Sequence, residues 1–214
     1  MRKWIPLLIV VAAIVASAVV YPRLPESIPT HWDFSGRVNG WSSRFWGAWL
    51  MPIFIVGAWA FMRILPAIDP RGSNYAKFGG AFEGLIIAVM LFLLGLHIVV
   101  LRTALGHPVD MNRVLPIAMG ALFVVIGALL PRAHPNWFVG IRTPWTLSSD
   151  EVWEKTHRFG GKAFVACGIV VLIAGLAMPQ GAHIVLFAAI TICLVSVLAY
   201  SYLEWKREQA NAPA

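Results

Sequence analysis

The feature that most constrains this chain is a long uncharged stretch near its C-terminus. Ala163–Leu203 contains no Asp, Glu, Lys or Arg, and a helix needs about 20 apolar residues to cross a bilayer core. Met178–Gly181 interrupts the stretch with a Pro and a Gly, residues that end helices. The stretch therefore predicts two membrane-crossing helices joined by a tight turn.

The rest of the chain extends this interpretation. Charged residues make up 13% of the sequence, hydrophobic residues make up 59%, and the mean hydropathy is +0.74. A soluble domain averages about 25% charged residues. Six apolar segments are long enough, or nearly so, to span a membrane: Trp4–Val20, Phe45–Leu65, Ala81–Leu101, Val114–Leu130, Ala163–Met178 and Ala182–Leu203. We therefore predict an all-α, polytopic integral membrane protein with six transmembrane helices.

We expect one membrane domain over residues 1–214. Its predicted parts are residues 1–65 with two helices and an outer loop over 21–44, residues 66–130 with two helices, and residues 131–214 with an inner loop over 131–162 and the helical hairpin. The first segment resembles a signal peptide, because Met1–Lys3 is basic and Ala16–Ala18 offers small residues. Its apolar run exceeds the usual length of about 7–15 residues, so we predict an uncleaved helix.

Positive charge predicts the orientation. Twelve of the 17 Lys and Arg residues fall in the termini and in the second and fourth loops, and five fall in the first and third loops. Positive residues stay on the cytoplasmic side. Both termini and the inner loop are therefore predicted to be cytoplasmic, in a bacterial cytoplasmic membrane. The pI of about 9.9 reflects this topology, and we expect no direct binding of nucleic acid because the chain has no basic domain.

The outer loop combines a rigid frame with displayed side chains. Pro22, Pro25 and Pro29 each fix φ and remove an N–H, so the chain should leave the membrane extended rather than helical. Asp33 with Gly36, and Asn39 with Gly40, predict two tight turns. The candidate ligand residues of this compact loop are His31, Trp32, Asp33, Gly36, Arg37 and Trp41. Either the loop grips a peptide or it covers the outer helix ends as a lid.

The inner loop contains a predicted amphipathic helix over Asp150–Phe159. Ser148 and Glu151 have the spacing of a capping box, and the helix pairs opposite charges four residues apart. We expect this short helix to lie on the inner membrane surface or on the helix bundle, with Gly160–Gly161 turning the chain into the fifth membrane helix.

A tight segment before this helix holds Arg142, which we expect to act as a structural clamp on a carboxylate, backbone carbonyls or a lipid phosphate. Trp153 and His157 share a helix face, and we predict that they form one unit with Arg142. The motif residues singled out in this loop are Asn136, Gly140, Arg142, Thr143, Pro144, Trp145, Trp153 and His157.

Two loop signatures resemble those of the SdpI family, bacterial membrane proteins named for immunity to a secreted sporulation-delaying toxin. They are Tyr-Pro-x-Leu-Pro-x-x-Ile-Pro-x-His-Trp over Tyr21–Trp32, and Gly-Ile-Arg-Thr-Pro-Trp-Thr-Leu…Trp…Thr-His over Gly140–His157. The outer motif of the family often reads His-Trp-Asn…Asp-Gly-Trp, whereas this chain exchanges the acid and the amide as Asp33 and Asn39.

The resemblance implies a six-helix immunity protein that is not an enzyme and needs no cofactor. It implies that a secreted toxin peptide is the outer partner. It also implies that a cytoplasmic transcriptional repressor is held at the membrane when toxin is present. Membrane lipids complete the expected partners.

Two other functions stay open. A metal-dependent enzyme needs about three convergent ligands. Candidates exist outside (His31, Asp33, His97, His107 and Asp110) and inside (His134, Asp150, Glu154 and His157), without a metal-binding motif in either set. A small-solute transporter is suggested by Glu83 and His97, ionisable groups within the third apolar segment.

Overall fold

A computed structural model describes residues 4–211, so Arg2 and Lys3, which enter the orientation argument, lie outside the described residues. The elements are α1 (Ile5–Val20), β1 (Ser27–Trp32), β2 (Val38–Ser43), α2 (Arg44–Ile68), α3 (Gly79–Ala104), α4 (Met111–Leu129), α5 (Pro144–Ser148), α6 (Asp150–Ala177) and α7 (Ala182–Asn211). Six of these helices are long and apolar enough to cross a membrane. The predicted helical membrane protein is therefore confirmed.

The six long helices form two bundles of three. Helices α1, α2 and α3 pack together around a core that includes Ile55, Ile86 and Met90. Helices α4, α6 and α7 pack around a second core that includes Val171 and Val197. Helices α3 and α4 contact each other directly and so join the two bundles.

A seam of glycines holds α4 against α6. A Cβ atom added to Gly120 would lie 2.7 Å from the carbonyl oxygen of Gly168, and one added to Gly127 would lie 2.6 Å from that of Gly161. Real Cβ atoms do not approach backbone so closely, so the two backbones are in direct contact. Small residues permit this approach in membranes, where helix association depends on van der Waals packing.

The seam corrects the prediction for the inner helix. Helix α6 runs without a break from Asp150 through Gly160 and Gly161 to Ala177, so the predicted separate helix and its glycine turn are wrong. The start of α6 lies on the helix bundle, one of the two expected positions, because one of its faces is buried. Gly161 faces Gly127, and a Cβ atom on Gly160 would overlap the Cδ1 atom of Ile141. The two glycines make room for neighbours rather than for a change of direction.

The predicted capping box is also wrong. Ser149, one residue later than predicted, is the N-cap of α6, and its Oγ accepts a hydrogen bond from the backbone N–H of Val152 at 3.3 Å. A reciprocal box does exist one turn earlier, between Thr143 and Thr146 at the start of α5. At the other end of α6, the predicted break is confirmed as a 3-10 turn over Pro179–Gly181.

Candidate functional site: an outer cleft and an inner loop

The loop that we expect to lie outside forms an antiparallel β-hairpin of β1 and β2, and the terms outer and inner follow that expected orientation. At its tip, the Oδ1 atom of Asp33 accepts hydrogen bonds from the backbone N–H groups of Ser35 at 2.8 Å and Arg37 at 2.9 Å. Gly36 has a φ of 73°, which glycine adopts without a steric cost. The N–H of Arg37, with that of Ser35, lowers the pKa of Asp33. The predicted Asp33–Gly36 turn is confirmed.

Two other expectations for this loop are wrong. Asn39 and Gly40 lie within β2, where Gly40 pairs with His31. A glycine is needed at this position because a Cβ atom there would lie 2.8 Å from the Cβ of His31. Tyr21–Arg23 forms a 3-10 turn that prolongs α1, so the extended path begins only at Leu24. Pro22 fits this turn because its fixed φ of about −65° is also the helical value.

The hairpin is rooted in the first bundle. Leu24 and Ile28 are fully buried and pack with Ala48 of α2 and Leu101 of α3. Gly47 lets Ile28 approach α2, since a Cβ atom there would lie 2.7 Å from the Cβ of Ile28. The base of the hairpin thus covers the outer helix ends, as the lid interpretation expects.

The tip of the hairpin reaches across to the second bundle and leaves a cleft there. This outer cleft has a volume of about 290 Å³ and lies between the hairpin tip and the outer ends of α4 and α7. Its walls include His31, Trp32 and Asp33 from the hairpin, Asn112 and Pro116 from α4, and His183 and Phe187 from α7. Three predicted ligand residues, which are consecutive in the sequence, therefore face residues of α4 and α7 across the cleft.

The other outer residues play different parts. Gly36 packs against Asn112, because its Cβ position is 2.9 Å from the Nδ2 atom of that side chain. Trp41 is 58% exposed, pairs with Pro29 and does not line the cleft. Arg37 is exposed and forms a salt bridge of 3.3 Å with Asp33.

Phe34 is a cleft residue that the sequence reasoning missed. Its ring stacks on His183 at a centroid distance of 5.9 Å and meets Phe187 edge to face at 5.7 Å. The available signal was an aromatic residue within a tight turn, a position that polar residues usually occupy.

The inner loop follows α4 of the second bundle in the chain and contacts the first bundle. Asp69, which follows α2, accepts hydrogen bonds at Oδ2 from the Tyr75 hydroxyl at 3.0 Å and from the backbone N–H of Trp137 at 2.9 Å. The side chain of Asn74 donates to the carbonyl of Pro135 at 2.7 Å. Asp69 and Tyr75 were not predicted. The signal for Asp69 was a lone acidic residue at the end of an apolar helix.

Asn136 organises the loop at this crossing. Its buried Oδ1 atom accepts from the backbone N–H groups of Phe138 at 2.9 Å and Val139 at 2.6 Å. Its Nδ2 atom donates to the carbonyls of His134 at 2.9 Å and Val139 at 2.8 Å. One side chain therefore supplies the hydrogen bonds that a regular element would give this loop.

Trp153 and His157 form one buried unit on α6. Their rings stack with centroids 4.0 Å apart, and the Trp153 Nε1 atom donates to the carbonyl of Ala133 at 2.8 Å. His157 Nε2 accepts from the N–H of Ile141 at 3.0 Å. Gly140 fits above this ring with a φ of 116°, and a Cβ atom there would overlap His157.

The remaining motif residues cap the start of α5 and pack it against α7. Thr143 and Thr146 cap each other, and Pro144 occupies the first turn. Trp145 packs on Tyr202 of α7 with centroids 5.2 Å apart. Arg142 is exposed and donates to the carbonyl of Trp137 at 3.1 Å. Arg142 therefore bonds a backbone carbonyl, one of the three partners expected for it, and among residues 4–211 it forms no salt bridge with a carboxylate.

The residues behind the alternative functions have identifiable partners. Glu83 accepts two hydrogen bonds of 2.8 Å from Arg63, which joins α2 to α3. His97 is buried and lies 2.9 Å from the Oγ atom of Ser17. Within residues 4–211, no three His, Cys, Asp or Glu side chains are arranged to hold a metal ion.

This arrangement defines a multi-pass membrane protein, with a cleft at one end of the helices and an ordered loop at the other. Residues 132–201 match the SdpI/YfhL protein family, and residues 8–56 match a domain of unknown function, DUF1648. The chain is 26% identical to Immunity protein SdpI from Bacillus subtilis (strain 168), over 96% of this chain and 97% of the relative. No solved structure matches the chain. The resemblance to the SdpI family is thereby confirmed.

Proposed function

We propose that this chain is a membrane immunity protein that protects the cell from a secreted toxin or antimicrobial peptide, and that it is not an enzyme. The observation that carries the proposal is the similarity to Immunity protein SdpI along nearly the whole of both chains. Because the similarity extends over both halves of the chain, we expect a shared function to use a feature that both halves build. The outer cleft is such a feature, because the hairpin comes from the first half and α4 and α7 come from the second.

The chemistry of the outer cleft suits an amphipathic peptide. Trp32, Phe34 and Phe187 offer aromatic surface, which supplies contact area and attracts cations. Asp33 provides a carboxylate beside that surface, and the N–H groups of Arg37 and Ser35 lower its pKa. Because Asp33 already forms a salt bridge with Arg37, a cationic group of the peptide would share or replace that partner. A peptide segment that pairs a bulky apolar side chain with a Lys or Arg would satisfy both features.

We propose that the inner surface engages a cytoplasmic repressor. A charged cluster joins α6 to α7, where buried Glu204 pairs with Lys155 at 3.3 Å and Arg207 at 2.7 Å. Nearby, Ser149 donates to Glu208 at 2.6 Å. Toxin outside could regulate this surface only if it bound two states of the protein with different affinity.

Survival measurements test the immunity function. Expression of the chain in a peptide-sensitive strain is expected to raise survival, and Trp32→Ala is expected to remove the gain at unchanged protein level. Trp46→Ala is the matched control, because Trp46 is exposed at the start of α2 and does not line the cleft. Loss of survival in Trp41→Ala would indicate that the ligand extends beyond the cleft along the hairpin. Equal survival with and without the chain, across a panel of membrane-active peptides, would refute the proposal.

A further inference from the structure

A second binding site is indicated by apolar space between the two bundles. An inner cavity of about 160 Å³ lies beneath the inner loop, between α3, α4 and α6. Its walls are apolar and include Phe78, Phe82, Leu129, Ile141 and Phe164. A cavity with such walls offers water few hydrogen-bond partners and favours an apolar occupant.

A separate groove runs along the seam between α3 and α4. The groove has a volume of about 450 Å³ and lies next to the cavity, because Gly84 and Val125 line the groove and their neighbours Leu85 and Ile126 line the cavity. Cavity and groove together are called the interbundle slot. From Phe78 to Gly95 the slot is about 25 Å long at 1.5 Å per helical residue. This exceeds the depth of one leaflet, about half of the 30 Å hydrocarbon core.

Small residues open the groove between larger ones. Ala88 and Gly95 contribute from α3, and Ala118 and Ala121 contribute from α4. The rest of the lining is large (Ile87, Leu91, Phe92, Leu122 and Val125), and at Gly84 the side chain of Leu129 lies 3.2 Å from the Cβ position. A Cβ atom added to Gly95 would meet nothing within 4 Å. An apolar occupant of the groove would gain dispersion contacts with both helices. Lipid chains surround a membrane helix, so a lipid chain is the apolar molecule available to fill it.

Charge at the inner end of the slot indicates the headgroup. Lys77 precedes Phe78, and Arg132 precedes Ala133, so each cation stands beside a residue that lines the cavity. Both cations are exposed. Cations at this level attract anionic lipid headgroups.

We propose that the interbundle slot binds one acyl chain of an anionic phospholipid, whose headgroup phosphate lies between Lys77 and Arg132. The proposal rests on the membrane location of the chain and is independent of toxin immunity. The bound lipid would fill the space between the bundles and contact the inner loop through Val139 and Ile141.

Native mass spectrometry of the full chain tests the site, after reconstitution in vesicles of equal phosphatidylglycerol and phosphatidylcholine. We expect one phosphatidylglycerol to be retained on release from detergent. Gly95→Phe should fill the groove and remove the retained lipid. Gly57→Phe should not, because Gly57 also has open space around it but lies on α2, outside the slot. Melting temperatures of the two variants verify that both are folded.

The headgroup is tested by removing the cations. Lys77→Gln and Arg132→Gln should each lower the preference for phosphatidylglycerol about fivefold, whereas Lys206→Gln, at an exposed position on α7, should not. Equal retention of the two lipids by the unsubstituted chain would overturn the proposal. The proposal would also be overturned if Gly95→Phe retained as much lipid as Gly57→Phe. A dimer of the unsubstituted chain that Gly95→Phe dissociates would overturn it too, because the groove would then be an interface between two copies of the chain.

Discussion

The Nε2 atom of His157 lies 3.0 Å from the backbone nitrogen of Ile141 and accepts its hydrogen. The Nδ1 atom lies 2.8 Å from the carbonyl oxygen of Trp153 and donates to it. Both ring nitrogens are therefore used, and the imidazole is neutral in this arrangement. The inner loop is thus bound to α6 by a side chain whose position depends on its stacking partner.

Replacing His157 should release the loop. In His157→Leu the N–H of Ile141 loses its partner, and an unsatisfied buried donor costs about 1–3 kcal/mol. We expect a lower melting temperature in detergent. His107→Leu is the control, because His107 is exposed in the connection between α3 and α4. Equal melting temperatures for the two variants would contradict the role assigned to His157.

Gly140 tests the space above the His157 ring. Gly140→Ala should destabilise the protein more than Gly106→Ala. Both glycines have positive φ, at 116° and 84°, so both alanines are strained, but a Cβ atom on Gly106 would meet nothing within 4 Å. Overpacking adds about 1–3 kcal/mol. Thermal unfolding of both variants measures the difference, and a larger loss for Gly106→Ala would show that the clash is relieved elsewhere.

Asp69 should matter more to stability than Arg142. Asp69→Ala leaves the N–H of Trp137 without its acceptor, at a cost of about 1–3 kcal/mol for a buried group left unpaired. The Tyr75 hydroxyl loses its 3.0 Å bond and keeps only the longer one of 3.3 Å to Asn136. Arg142→Ala removes one hydrogen bond from an exposed side chain, worth about 1 kcal/mol. Melting temperatures of the two variants make the comparison. A larger drop for Arg142→Ala would show that its charge has a buried partner.

The orientation can be measured with single cysteines at two exposed serines. In a background of Cys167→Ala and Cys193→Ala, an impermeant thiol reagent should label Ser35→Cys in intact cells and should label Ser148→Cys only after permeabilisation. The bias of positive residues motivates this outcome. Labelling of the Ser148 position alone in intact cells would reverse the assignment.

The sequence alone determined the features that depend on neighbouring residues. The six helices follow from apolar length, because each apolar segment must pair its own backbone groups within the membrane. The turn at the hairpin tip follows from Asp33 and Gly36, which hold it within five residues of chain. The break between α6 and α7 follows from Pro179 and Gly181 in the same way.

The tertiary structure decided what those local signals left ambiguous. Gly160–Gly161 is compatible with either a turn or a close helix contact. Gly161 forms a close contact here because Gly127 of α4 packs against it. Asn39–Gly40 has the composition of a turn, yet the pairing of Gly40 with His31 places it in a strand. Asp69 and Asn136 meet through Tyr75, although they are far apart in the chain. These outcomes depend on partners brought together by packing of the two bundles, and the free energy of such contacts is absent from any local window of sequence.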